Sequence, residues 1–532
     1  MLGFSSSTIG CVGNVVSPSS GGQVSFVDDT PGGSPNDPGT TPSDPNDPST
    51  PSPTPTPADP SSVVECLPAK AAPAPQRVWM LTPEQINATA TMVDASAPTL
   101  VTNVNRTYFG NASDYVKLGT ASTEELTRNV ETFAAALATS LLSASSCNLS
   151  DAGCFSQHLT PLVAKSWRIP ESEVSAQVTS LHEVFAIGAE SSDQLGLSIV
   201  LEAVLRSPLF LFRTEVGTAK GDGTYQMTGY EVAAFLSYGL ADVPPDATLL
   251  ALAADGSLVD DQTVLAAQVE RLLASSEASD LPGRFVGWLT ELDQYVGSGG
   301  VPAFEELSGE SAEQMLSEAH TFANQVLSSG GWSALHTTPN PTGGTGLMSL
   351  RGLMARLAAP NSVIPTRRGF YMLNRFLCEA KVSRPNLPDD APGVDPDLTG
   401  RERYAILSAE PTCASCHTKA DPIGFAFDKF DWAGRKMEDP SIDTTGEVVG
   451  TVDADGSFSN ETELAQLFAD SKAGDACLNK RLVEYLEGRE LGAADSCRLA
   501  ELYAAVADET ATFNDIVKAA IYPDIFTRSA VQ

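Results

Sequence analysis

Cys413-Ala414-Ser415-Cys416-His417 is the stretch of this chain whose residue types and spacing name a chemistry. Two thiols three positions apart, followed at once by an imidazole, hold a haem through two thioether bonds while the adjacent histidine reaches the iron. The vinyl groups sit at fixed positions on a rigid ring, so the thiols must span a set distance and the imidazole must emerge on the same side. On this reading Cys413 and Cys416 carry one covalent haem c, and His417 is the proximal ligand of its iron. A local disulfide or half of a zinc site is the competing use of the same residues.

The residues that follow supply the rest of such a site. Phe425, Phe427, Phe430 and Trp432 are placed to wall a porphyrin, and exclusion of water together with the axial ligand sets the iron's potential. Asp421-Pro422-Ile423-Gly424 reads as the turn that brings these aromatics back over the ring. Met437 is the methionine downstream of His417, and as distal ligand it would suit an electron carrier. His158, His182, His320 and His336, from distant segments, are the alternatives. With none of them bound, a five-coordinate iron could handle peroxide or another small ligand.

The other cysteines read as an oxidised framework. Cys147 and Cys154 flank a short turn, and Cys477 and Cys497 bracket a helix and turn, so each pair is expected as a disulfide. Cys66 and Cys378 remain for each other. A competing scheme joins Cys378 to Cys413 or Cys416, which would abolish haem attachment, and spacing alone leaves the connectivity open.

Composition narrows the class. The 532 residues carry 32 basic and 67 acidic side chains, a formal charge of −35 that argues against a nucleic-acid partner. Thr8-Ile9-Gly10-Cys11 looks like a lipobox ending in a lipidated Cys11, so residues 1–10 read as a signal remnant and the protein as extracytoplasmic: lipid-anchored to a bacterial envelope, or periplasmic. Residues 11–77 are mostly Pro, Ser, Thr, Asp and Gly and read as a disordered, semi-extended tether. Phosphate-binding glycine loops, G-x-S-x-G and H-E-x-x-H are all absent from the sequence. Asp453-Ala454-Asp455-Gly456 places its glycine wrongly for a calcium loop and reads as a polar turn.

The scaffold that must position the motif reads as mainly α. Thr82-Pro83 starts a helix, Ser122 to Glu125 form a capping box ahead of Leu126, Val130, Phe133, Leu137 and Leu141, and Thr228 to Glu231 cap another. Thr399 to Ala409 is expected as a helix delivering Cys413, Pro385 to Pro396 as the linker into it, and short strands fit between Asp439 and Asn460. The expected domains are 78–217 and 218–365, both helical, a haem-signature domain 366–470, and a helical closing domain 471–532.

Cys413 to Lys436 resembles the C-x-x-C-H-x(3)-D-P-x-G-F-A-x-x-x-F-D-x-x-G-R signature of exported planctomycete- and myxobacterial-type cytochrome-c-like proteins. These are built from consecutive domains of unknown function numbered 1587, 1595, 1592, 1588 and 1585. Leu81 to Glu84 is similar to the opening domain, Leu201 to Arg213 to the end of the next, and Tyr230 to Leu289 to the large central one. Thr366-Arg367-Arg368-Gly369 with Cys378 resembles the haem-signature domain, and Leu482 to Phe526 the closing one. Similar chains also place a cysteine pair at Cys477 and Cys497, and they commonly have Arg where this chain has Met437. The resemblance implies a multi-domain helical protein with a cytochrome-c-like segment near the C-terminus. Its expected work is extracytoplasmic electron transfer or haem redox catalysis with a redox partner protein. The alternative is a non-haem surface lipoprotein, binding or structural, with Cys413 and Cys416 in disulfides.

Overall fold

Thr82 starts helix α1 (Pro83–Val93): its hydroxyl accepts the Gln85 N–H, and the Gln85 side chain accepts the Thr82 N–H. Pro83 takes the first position, where no N–H is needed. Helix α2 (Thr120–Ala144) buries Leu126, Val130, Phe133 and Leu137 along one face. It is already helical at Thr120, so Ser122 to Glu125 lie inside its first turns rather than capping it. Helix α3 (Ala152–Trp167) starts on the Asp151 carboxylate, and the Cys147–Cys154 disulfide closes the turn before it. With α4 (Ser175–Ala189) and α5 (Asp193–Leu205) these helices enclose one core, in which Phe155, Phe185 and Phe210 are fully buried.

The computed structural model describes residues 73–102, 120–295, 312–379, 400–508, 510–521 and 523–529. Cys11, Cys66, the expected tether up to residue 72 and the linker Pro385 to Pro396 lie outside them; residues 73–77, expected as the end of that tether, are described and include the strand Ala74–Pro75 and the first residue of Arg77–Met80. Among the described residues no helix is long and apolar enough to cross a membrane.

A second core runs from Trp79 and Met227 to Phe526. Around it stand α6 (Gly229–Leu236), α7 (Leu281–Leu289), α8 (Ala312–Leu327), α9 (Pro365–Phe376), α10 (Gly400–Ala409), α11 (Pro411–Phe425), α12 (Glu461–Ala469), α13 (Lys472–Glu487), α14 (Ser496–Ala505) and α15 (Phe513–Ala520). Residues of the segments 218–365, 366–470 and 471–532 all pack into this core. Phe285 of α7 shows why, since its ring lies 5.7 Å from Trp332, 5.8 Å from Tyr485 of α13 and 6.0 Å from Phe513 of α15.

Strands appear beyond the segment Asp439 to Asn460 where they were expected. β1 (Ala74–Pro75), β2 (Arg77–Met80), β3 (Phe212–Glu215), β4 (Thr218–Ala219), β5 (Thr224–Gln226) and β8 (Thr527–Ser529) are short, and β6 (Gly446–Val448) pairs with β7 (Gly456–Phe458). One sheet has the order β1-β8-β5-β4, and β2 runs antiparallel to β3. Elements of two to four residues are too short to show an alternating pattern, which is why a helical reading passes over them.

What pins these strands is charge. Glu215 on β3 is 1% exposed and accepts from Arg77 Nε at 2.9 Å and Arg528 Nη2 at 2.5 Å. The Arg77 and Arg213 guanidinium groups lie 4.0 and 4.3 Å from the Trp79 ring centroid. Burial alone would raise the Glu215 carboxyl, but Arg77, Arg528 and Arg213 outweigh it and hold the group down at about 2. A carboxyl depressed in the folded state contributes stability above its unfolded value of 4.5 that is lost as pH falls toward about 2. Glu215→Gln is therefore expected to cost about 3–5 kcal/mol in urea unfolding at pH 7. The variant's deficit should shrink between about pH 4.5 and 2, and an unchanged deficit across that range would assign the cost to packing instead.

Candidate functional site

Helices α9 and α11 meet backbone to backbone. A Cβ on Gly369 of α9 would lie on the carbonyl oxygen of Ala420, and one on Gly424 of α11 would lie on the carbonyl oxygen of Pro365. Glycine at both positions lets the two helices approach this closely. The approach brings Thr366, at the start of α9, beside the C-x-x-C-H face of α11.

A chain of three polar side chains results. Thr366 Oγ1 donates to Asp421 Oδ1 at 2.5 Å, and Asp421 Oδ2 lies 2.8 Å from His417 Nδ1. Asp421 is 1% exposed, and His417 lies one helical turn before it. With Nδ1 held by the carboxylate, Nε2 is the ring nitrogen left for another partner. Cys413 is buried, Cys416 is half-buried, and both are free thiols. Cys413, Cys416 and His417 stand at i, i+3 and i+4 on one helix, hence on one face.

α10 covers part of this face. The Tyr404 ring is 6.0 Å from that of His417 and 6.1 Å from that of Phe425, and the Arg401 guanidinium lies 4.4 Å over Phe425. Arg401 is fixed in turn by the carbonyls of Asp443 and Thr445, at 2.9 and 2.6 Å. Burial, with the charges of Asp421 and Asp428 nearby, pushes the Tyr404 hydroxyl up to about 12. Burial raises the Asp428 carboxyl to about 7, against the opposing pull of Arg368 and Arg401.

Arg368 organises the residues after α11. Its fully buried guanidinium donates to the carbonyls of Phe427 at 2.6 Å, Phe430 at 3.0 Å and Asp431 at 3.1 Å, and burial lowers it to about 10. This cap turns the chain inward. Phe427 and Phe430 are fully buried in the main core, and Trp432 packs with Met315, Ala355 and Ala433. Of the aromatics expected around a porphyrin, Phe425 is the one that shares a neighbour, Tyr404, with His417. The expected turn Asp421 to Gly424 is the last part of α11 itself, because contact with α9 keeps it helical despite Pro422.

Met437 is half-buried, and its N–H donates to Lys429 O at 2.7 Å, on a loop separate from the helix that presents His417. The four other histidines are engaged elsewhere. His158 is beside Cys147 and Cys154, His182 stacks with Phe185, and His320 lies 3.2 Å from Asp280. His336 is buried against Phe376 and Phe468, and burial lowers its pKa to about 4.

One disulfide differs from expectation. Cys477 bonds Cys378, 99 residues away, and not Cys497. Cys378 takes a left-handed conformation just past the end of α9, and Cys477 on α13 faces the same helix end, its Sγ 3.5 Å from Arg375 O. Sequence spacing favoured the nearer cysteine, whereas packing of α9 on α13 decides the pair. The bond also takes Cys378 away from Cys66, Cys413 and Cys416.

Tyr404 is the site residue that the motifs do not single out; Asp421 was expected in a turn and Thr366 in a family segment, and neither was given a role beside His417. The i, i+4 spacing of His417 and Asp421 was the signal that could have given Asp421 that role.

Three family models, each described as a protein of unknown function, match in chain order: DUF1592 over residues 227–339, DUF1588 over 344–439 and DUF1585 over 455–526. The C-x-x-C-H helix and the loop to Met437 fall within the DUF1588 match. No curated protein and no solved structure matches the chain.

Gly369→Ala would drive a methyl group into the Ala420 carbonyl. It is expected to lower stability by roughly 1–3 kcal/mol in denaturant titration. It should also speed hydrogen exchange of the α11 amides selectively, and uniform exchange across both cores would show that the contact does not hold this helix.

Proposed function

We propose that this chain is an exported c-type haem protein that works in extracytoplasmic electron transfer or haem redox catalysis. The observation that carries the reading is the donor set of α11: two free thiols and an imidazole on one helical face, with the imidazole's other nitrogen held by a buried carboxylate. These residues fit a haem held by two thioethers and one axial histidine. Cys413 and Cys416 would be the attachment points and His417 Nε2 the proximal ligand. A haem bound there supplies one-electron chemistry at its iron.

The chain's own residues do the positioning. Asp421 fixes the His417 ring through Nδ1, and Thr366 fixes Asp421. Tyr404 and Phe425 limit water on the side covered by α10. The disulfides Cys147–Cys154 and Cys378–Cys477 suit an oxidising compartment, which is where thioether attachment occurs, and lipidation of Cys11 would anchor the protein to the envelope there. One haem stores one electron, so multi-electron chemistry requires a redox partner protein.

Expression with a c-type maturation system is expected to give protein one haem heavier than the bare chain, with a reduced α-band in the absorption spectrum. Cys413→Ala with Cys416→Ala should lose the covalent mass, and His417→Ala should alter the spectrum. Bare protein from a host that matures another c-type cytochrome would remove the haem reading. A low-spin spectrum inert to peroxide would then mark a carrier, and high-spin iron binding cyanide an enzyme.

A further inference from the structure

We infer that Asp421 is a positioning residue that sets how strongly His417 donates to its ligand, an inference that rests on the haem reading above. Asp421 lies deep between α9 and α11, and its oxygens are divided between the Thr366 hydroxyl and the His417 ring. Among the described residues no arginine or lysine pairs with it. Its negative charge is therefore directed at the imidazole N–H and not neutralised by a cation. A carboxylate accepting from Nδ1 gives the ring anionic character, makes Nε2 a stronger donor, and favours the oxidised iron.

Thr366 works against this. Its hydroxyl donates to the same carboxylate at 2.5 Å and draws charge away from the oxygen that faces His417, while at 3.4 Å from His417 Nδ1 it is too far to replace that oxygen, at 2.8 Å, as the ring's acceptor. The two residues thus act on the imidazole with opposite signs, although both hold the same pair of helices together. A purely structural role would give both substitutions the same direction of effect.

The test uses the full chain matured with haem, and measures covalent haem by intact mass and the reduction potential by spectroelectrochemical titration. Asp421→Asn is expected to keep the covalent haem and shift the potential upward, because the imidazole loses its anionic partner. Thr366→Val is expected to shift the potential downward, because the carboxylate is left to His417 alone. Both variants carrying haem at the parent potential, or both shifting the same way, would overturn the inference while leaving the haem reading intact. If Asp421→Asn does not fold, an unchanged or raised potential in Thr366→Val still overturns it. Unaltered protein without covalent haem overturns the haem reading and this inference with it.

Discussion

The near-contact of Gly369 and Gly424 with the opposing helix backbones is the constraint on which the site depends. Without it α9 and α11 would stand a side chain apart, and Thr366 would not reach Asp421. The polar chain Thr366–Asp421–His417 is short, so small separations break it. Placing it in a buried seam raises the stakes, because a carboxylate deprived of its donors there costs more than the bond it loses.

Helix α9 acts as the hub for this part of the molecule. Its first turn supplies Thr366, Arg368 and Gly369 to α11 and the loop beyond. Near its end, Arg375 pairs with Glu291, and past its end Cys378 is covalently tied to α13. The C-x-x-C-H helix is therefore mounted on an element fixed at both ends, while α10, which has no buried residue, lies against its outer side. That division holds the C-x-x-C-H helix firmly against α9, while Tyr404 of α10 packs beside the His417 ring.

Much of the scaffold was legible because helix starts are local chemistry. Thr82 with Gln85 and Thr228 with Glu231 cap their helices through bonds within four residues. The motif itself was legible for the same reason, since Cys413 to His417 is a spacing along one helix. Features set by long-range packing were not. The Cys378–Cys477 bond, the strand pairing around Glu215 and the burial of Phe427 each depend on segments far apart in the chain. Arg368 explains the last of these: its bonds to the Phe427 and Phe430 carbonyls hold the segment that follows the motif against the core, a contact that spacing along the chain does not show.

The most direct measurement is a peptide map of the protein produced with c-type maturation. Cleavage at Arg403 and Lys419 releases Tyr404 to Lys419, which contains both thiols and His417. One haem bonded to both cysteines requires this peptide to carry the mass of a single haem and to resist alkylation at Cys413 and Cys416. Recovery of the same peptide with the two cysteines joined as a cystine, or with both open to alkylation, would contradict it.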